Sequence, residues 1–162
     1  MSRKYSKFFQ PLLILFALIG LPALLWSMMR RSQGEPETII RRVLSRYTIP
    51  EQTIRYWIAV SALETSGWTS RVFKDSNNLF CLIVPKSERL PYGEGQTIFL
   101  SMEEAADALY RRVIVPFKYP LSFASLDDLV MTQKEKGYFT APLAGYMAGA
   151  KSWFNKLFPT NF

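Results

Sequence analysis

The feature that most constrains the fold is an apolar stretch close to the N-terminus. Residues 8–29 carry no charged side chain and a single Gln over 22 positions, with basic side chains on both flanks. A helix needs about 20 such residues to cross a bilayer. The sequence therefore predicts one transmembrane helix over 8–29, with the lipid bilayer as its partner.

Two alternatives to a membrane anchor are disfavoured. A cleaved signal peptide has an apolar core of about 7–15 residues and small residues at its cut site, whereas this stretch is longer and ends in Met28-Met29-Arg30-Arg31. A helix buried in a globular core is less favoured, because this stretch is apolar on every face. We therefore expect a single-pass protein of the cytoplasmic membrane, although two basic flanks give little information on orientation.

Charge and composition exclude several function classes. The chain has a net charge of +7, and residues 32–162 hold 15 Lys or Arg against 13 Asp or Glu. No basic surface is concentrated enough to predict nucleic-acid binding. The chain has no His, which rules out a Ser-His-Asp triad or a His-ligated zinc site built from this chain alone. We expect no metal and no cofactor. The single cysteine, Cys81, cannot form an intrachain disulfide.

Apolar periodicity and capping residues predict a mainly helical globular part. Helices are expected from Pro36 to about Tyr47 and from Pro50 to about Thr65, with Gly67 as a C-terminal stop. Residues 68–78 read as irregular. Apolar runs at 79–84 and 96–100, on either side of a loop rich in Pro and Gly, predict a small β-hairpin. Three more helices are expected to begin near Ser101, Ser125 and Pro142.

One carboxylate stands out at the end of the second predicted helix. Ile54, Trp57 and Ile58 belong to its buried stripe, and Glu64 lies at the border of that stripe in the last turn. Partial burial and the negative end of the helix dipole both raise the pKa of such a carboxyl group. A protonated carboxyl group could donate to the leaving oxygen of a glycosidic bond. The alternative is a solvated Glu near a helix end.

Several strings in the sequence resemble the glucosaminidase domains of the lysozyme-like superfamily. ALETSGWTS at 62–70 and NNLF at 77–80 are similar to that family's Ala-x-x-Glu-Ser-Gly-Trp-Gly-x-Ser and Asn-Asn-Leu-Phe-Gly motifs, with one extra residue between Glu64 and Gly67. Further along the chain, 96–109 resembles the strand and helix after the family's β lobe. KGYFTAP at 136–142 resembles the late Gly-Tyr-Ala-Thr-Asp-Pro motif. The resemblance covers roughly 50–158.

This resemblance implies a fold and an activity. The fold class would be mainly α, an α+β lysozyme-like domain with a small β-hairpin lobe, together with the N-terminal transmembrane helix. The activity would be hydrolysis of the β-1,4 bond after N-acetylglucosamine in peptidoglycan, on the extracytoplasmic (periplasmic) side. The chain would divide into four segments. These are a basic tail at 1–7, the transmembrane helix at 8–29, a juxtamembrane linker with the first helix at 30–49, and the glucosaminidase domain at 50–162.

The resemblance also implies roles for individual residues. Glu64 would be the general acid, and Tyr138 would line the cleft opposite it unless it is a core aromatic. Glu88 or Glu94 could supply a second catalytic carboxylate, and the substrate's own acetamido group could serve instead. The candidates for substrate binding are Trp68, Asn77, Asn78, Phe80 and Thr140. The two Asn residues could instead brace their loop, and Trp68 could instead belong to the core.

The sequence departs from the family pattern at two further positions, and two other functions compete with the glucosaminidase. Cys81 replaces the Gly after Asn-Asn-Leu-Phe, which predicts a less unusual backbone there, and Ala141 replaces the late Asp. A muramidase or lytic transglycosylase on the same fold would cut the other glycosidic bond. A non-catalytic module would bind peptidoglycan strands or a protein partner within an envelope-spanning complex.

Overall fold

Helices account for most of the regular structure. The structure, a computed structural model, describes residues 36–83 and 97–159. Within these ranges 63% of the residues are helical, so the fold is mainly α. The α-helices there are α1 Pro36–Leu44, α2 Glu51–Glu64, α3 Arg71–Ser76, α4 Met102–Leu109, α5 Leu126–Glu135 and α6 Leu143–Leu157. A 3₁₀ turn, Ser45–Tyr47, follows α1, and a π-helical turn, Tyr110–Ile114, follows α4.

Serine caps begin two of these helices where the sequence predicts them. The Ser101 hydroxyl accepts the Glu104 N–H (3.2 Å), and the Glu104 carboxylate accepts the Leu100 N–H (2.7 Å). At α5, the Ser125 hydroxyl accepts the Asp128 N–H (3.1 Å). The two bonds to the serine hydroxyls each satisfy a backbone N–H of the first helical turn that has no partner within the helix.

Two local predictions are corrected. Residues 68–78 are not wholly irregular, because α3 begins within them at a Ser70 cap whose hydroxyl accepts the Phe73 N–H (3.2 Å). The predicted β-hairpin lobe is wrong: residues 79–83 and 97–100 form no strand. A backbone bond from the Thr97 N–H to the Leu82 carbonyl (3.3 Å) joins the two runs. Side-chain amide bonds from Asn78 replace a strand ladder here, and residues 84–96 lie outside the described residues.

The membrane-spanning fold is corrected as well. No helix in the described part of the chain combines the length and apolar character needed to cross a bilayer. The longest of them, α6, has 15 residues and measures about 22 Å at 1.5 Å per residue, against about 30 Å for a hydrocarbon core. This finding counts against the expected single-pass location in the cytoplasmic membrane. Residues 8–29, on which the transmembrane prediction rests, lie outside the described residues.

The α2 helix forms the centre of the core. It packs against α6 on one side and α1 on the other, and α1 also packs on α4. Trp57, 1% exposed, lies on its buried face. The Trp57 ring contacts Phe80, Tyr119 and Tyr138, with centroid distances of 6.2, 5.9 and 6.2 Å. These three aromatic residues come from three separate loop segments, so α2 gathers them beside its own C-terminal end.

Candidate functional site: a cleft at the end of α2

A cleft of about 720 Å³ opens where α2 ends. This volume lies within the range of roughly 300–1,000 Å³ typical of small-molecule sites. The walls come from the loop at 80–83, from Val113 in the π-helical turn, from the segment 136–141 and from α6. A π-helical turn in an α-helix often accompanies a functional site, and here it brings Val113 to the cleft wall.

Glu64 lines this cleft as the last residue of α2. Burial raises the pKa of its carboxyl group above the ordinary value of 4.5, while a hydrogen bond from Tyr146 acts in the opposite direction. The Tyr146 hydroxyl donates to Glu64 Oε1 at 2.5 Å. Because desolvation is the larger effect, Glu64 keeps its proton to a higher pH than an exposed Glu does.

The helix end that carries Glu64 is closed by a Schellman motif. The Gly67 N–H donates to the Ala62 carbonyl (2.6 Å), and the Ser66 N–H donates to the Leu63 carbonyl (3.3 Å). Ser66, Gly67 and Trp68 have φ of 53°, 67° and 60°, so two residues other than Gly occupy the left-handed region, which costs each of them about 1 kcal/mol or more.

Side chains hold this strained turn in place. Thr65 is buried, and its hydroxyl donates to the Ser61 carbonyl (2.7 Å) and accepts the Trp68 N–H (3.0 Å). The Trp68 indole N–H donates to the Ser61 hydroxyl (3.0 Å), which donates to the Leu79 carbonyl (2.6 Å). The Ser61 hydroxyl thus links the turn after Glu64 to the start of the loop that carries Phe80 to the cleft.

A second helix end presents Tyr138 to the same cleft. Gly137, at φ 72°, follows α5, and the Tyr138 N–H donates to the Gln133 carbonyl (2.8 Å). The Tyr138 hydroxyl donates to the Phe80 carbonyl (3.1 Å). Burial, and then the nearby Glu64 charge, raise the pKa of Tyr138 well above its ordinary value. Tyr138 therefore remains a neutral phenol, and it lines the cleft together with Glu64.

Tyr146 is the residue of this site that sequence reasoning missed. It lies in the first turn of α6, and its ring stacks on Phe139 with a centroid distance of 3.7 Å and an interplanar angle of 4°. Helical spacing with Ala150 and Phe154 marks it as part of the face of α6 that packs on α2. That signal indicates a core aromatic and does not pair it with Glu64, which lies 82 positions earlier in the chain.

The remaining predicted residues separate into two groups. Phe80 and Thr140 line the cleft. Trp68, Asn77 and Asn78 are absent from the described residues that line it, and each is bonded to protein groups instead.

Asn78 is the main support of the loop below the cleft. It is fully buried, and its amide donates to the carbonyls of Leu82 (2.9 Å) and Thr97 (3.2 Å). Its oxygen accepts the N–H groups of Leu82 (2.9 Å) and Phe80 (3.4 Å). Asn77, at φ 53°, ends α3 and donates to the Phe99 carbonyl (3.0 Å). Both Asn residues brace the loop, one of the two roles that the sequence leaves open.

Cys81 corrects one expectation about the backbone. Its φ of 49° is left-handed, so the chain keeps at this position the conformation that a Gly would adopt without strain. The Cys81 thiol donates to the Glu64 backbone carbonyl (3.2 Å). Burial, with a smaller contribution from the Glu64 charge, raises the pKa of Cys81 to about 11, so this sulfur is a protonated thiol that ties the loop to the end of α2.

The two candidate partner carboxylates are not placed by the structure. Glu88 and Glu94 lie outside the described residues. Within the part of the chain that is described, Glu64 is the one carboxyl group on the cleft wall and Lys136 is the one cation. No protein-family model, curated protein or solved structure matches this chain.

Proposed function

We propose that this chain is a peptidoglycan hydrolase that cleaves the β-1,4 glycosidic bond after N-acetylglucosamine, with Glu64 as the general acid. The observation that carries the proposal is the environment of Glu64. Its carboxyl group is desolvated in a cleft and has a raised pKa. The sequence strings around Glu64, Phe80 and Tyr138, which resemble the glucosaminidase pattern, supply the substrate class.

Tyr146 fixes which carboxyl oxygen carries the proton. Its hydroxyl donates to Glu64 Oε1, so Oε1 acts as an acceptor and the acid proton resides on Oε2. In the proposed reaction, Oε2–H protonates the glycosidic oxygen as its bond to the anomeric carbon breaks. The carboxylate left behind accepts a stronger hydrogen bond from Tyr146, because bonds to a charged oxygen are stronger than bonds to a neutral one.

Tyr138 contributes a hydrogen-bond acceptor to the site. Its hydroxyl proton is engaged with the Phe80 carbonyl, so the phenol oxygen offers an acceptor to the cleft. An acetamido N–H of the sugar is a donor that suits this oxygen. The second group of the reaction is either a carboxylate from Glu88 or Glu94 or the acetamido oxygen of the substrate itself.

Digestion of purified peptidoglycan tests the proposal. The full chain is expected to release soluble fragments whose reducing ends are N-acetylglucosamine. Borohydride reduction followed by mass spectrometry identifies the reduced sugar. N-acetylmuramic acid at the reducing end would indicate a muramidase, and a 1,6-anhydro product would indicate a lytic transglycosylase. Intact glycan strands after prolonged digestion with folded protein would refute the hydrolase.

Tyr146→Phe is expected to change the pH dependence of the reaction. Removing the bond that lowers the pKa of Glu64 raises that pKa further, so the alkaline limb of the kcat/KM profile moves to higher pH. We also expect kcat to fall roughly tenfold, because one hydrogen bond to a charged group contributes about 1.5 kcal/mol.

Carbon-13 NMR of labelled Glu side chains measures the Glu64 titration directly, independently of catalysis. Tyr56→Phe is the matched control, because the Tyr56 hydroxyl makes a long bond to the Ala124 carbonyl (3.4 Å) away from the cleft. An unchanged Glu64 titration in Tyr146→Phe would contradict the assigned role of Tyr146.

A further inference from the structure

The charge on the cleft wall distinguishes between classes of glycan. Among the described residues that line the cleft, Glu64 is the one carboxylic acid and Lys136 is the one basic side chain. Burial raises the pKa of Glu64, and in the proposed reaction this residue acts as the neutral acid. The described part of the cleft wall therefore presents one positive charge to a substrate as the reaction begins. A neutral glycan gains nothing from that charge, whereas a glycan with a neighbouring carboxylate does.

The Lys136 ammonium group is held at a defined place. Lys136 follows α5 and is half-buried, and its Nζ lies 5.4 Å from the centre of the Tyr119 ring. Tyr119 is buried and packs on Trp57. Burial raises the pKa of Tyr119 to about 12, so the ring is a neutral phenol that attracts the cation through its π face. In the described part of the chain, no carboxylate pairs with this ammonium group.

Apolar side chains accompany the lysine at the cleft edge. Phe117 and Ile83 line the cleft and are 53% and 65% exposed. An exposed aromatic ring can cover the apolar face of a sugar, and an exposed aliphatic side chain can cover a methyl group. In peptidoglycan, N-acetylmuramic acid carries a lactyl ether with a methyl group, and the peptide attached to it ends in carboxylates.

We propose that Lys136 is a specificity residue that binds a carboxylate of the peptide attached to N-acetylmuramic acid, so that the cleft prefers peptide-bearing glycan to bare glycan. This inference rests on the proposed hydrolase function. It assigns Lys136 a contact with the substrate and no part in bond cleavage.

The test compares two substrates that differ only in the peptide. Peptidoglycan strands are used intact, or after an amidase has removed the peptides and the lactyl carboxylate that this hydrolysis exposes has been converted to its methylamide. For the full wild-type chain we expect kcat/KM to be about five- to tenfold higher on the intact strands, the effect of one charge-assisted hydrogen bond at a partly exposed site. Lys136→Met should abolish this preference, and Lys136→Arg should keep most of it. The preference should also weaken as salt is added.

A matched control separates charge in the cleft from charge elsewhere. Lys74, on α3, is exposed and does not line the cleft, so Lys74→Met should retain the preference. A structural role of Lys136 at the end of α5 would lower the rates on both substrates equally and leave their ratio unchanged. Equal wild-type kcat/KM on the two substrates, or an undiminished preference in Lys136→Met, overturns the inference and leaves the hydrolase function standing.

A binding measurement covers the case in which neither substrate is cleaved. That result refutes the hydrolase, and calorimetry with a disaccharide whose lactyl group carries either the peptide or a methylamide then tests Lys136 alone. Tighter binding of the peptide-bearing ligand that disappears in Lys136→Met supports a carboxylate contact. Equal affinities, or no binding of either ligand, refute it.

Discussion

Replacing Glu64 by Gln is expected to lower kcat/KM for peptidoglycan hydrolysis about a thousandfold, within the hundredfold to ten-thousandfold range typical of a lost general acid. The amide has the same shape and still accepts the Tyr146 hydrogen bond at Oε1, but it has no acidic proton to give to the glycosidic oxygen. Release of reducing sugar from purified peptidoglycan measures the effect. Glu135→Gln is the matched control, because Glu135 is the last residue of α5 as Glu64 is of α2, but is exposed.

Stability measurements show whether the Gln variant is folded. The folded-state pKa of Glu64 is raised by burial, so its protonated form is favoured in the folded chain. The stability it contributes is fully present below the unfolded pKa, near 4.5, and is lost as the pH rises through the folded value. Glu64→Gln should therefore match the wild type near pH 4 and be at least as stable at neutral pH. A folded variant with wild-type activity would eliminate Glu64 as the acid.

Replacing Asn78 by Ala is expected to lower the free energy of unfolding by about 3 kcal/mol or more, since each buried polar group left without a partner costs about 1–3 kcal/mol. The Asn78 side chain donates to two backbone carbonyls and accepts from two backbone N–H groups of the loop and its neighbouring segment. Because Asn78 is fully buried, water does not replace these hydrogen bonds when the side chain is removed. Urea unfolding followed by tryptophan fluorescence measures the loss.

The neighbouring Asn is a sharp control for this prediction. Asn77→Gly keeps the left-handed backbone at φ 53° and removes one side-chain bond, to the Phe99 carbonyl. We expect it to cost about 1 kcal/mol or less. Similar losses for the two variants would show that the four bonds of Asn78 do not support the loop. Because that loop carries Phe80 and Cys81 to the cleft, Asn78→Ala should also weaken substrate binding.

Sequence reasoning succeeded where local signals decide the structure. Ser101 and Ser125 predict helix starts because a cap is satisfied by residues three positions away, and α4 and α5 begin after them. Gly67 predicts the end of α2, and the helix does end at Glu64. The position of Glu64 at a helix end beside the buried stripe, with a raised pKa, follows from the same local pattern.

The errors arose where tertiary bonds override local propensity. The run 79–84 is apolar and strand-like, but its described residues are held by the Asn78 amide and by a left-handed Cys81, and 79–83 form no strand. The capped six-residue α3 was too short for hydrophobic periodicity to reveal it. Trp68 resembles a sugar-stacking residue in the sequence, yet its indole N–H is bonded to Ser61 below the turn.

The sequence by itself determined five of the six described α-helices, the helix end at Glu64 and the direction in which partial burial shifts the pKa of its carboxyl group, because caps and periodic apolar stripes act over a few residues. Only the tertiary structure decided which groups meet that carboxyl group. Tyr146 reaches Glu64 across 82 positions through the packing of α6 on α2, and Lys136 reaches the same cleft from the end of α5. Such pairings depend on how helices pack, and periodicity specifies which face of a helix is buried but not which side chain it will contact.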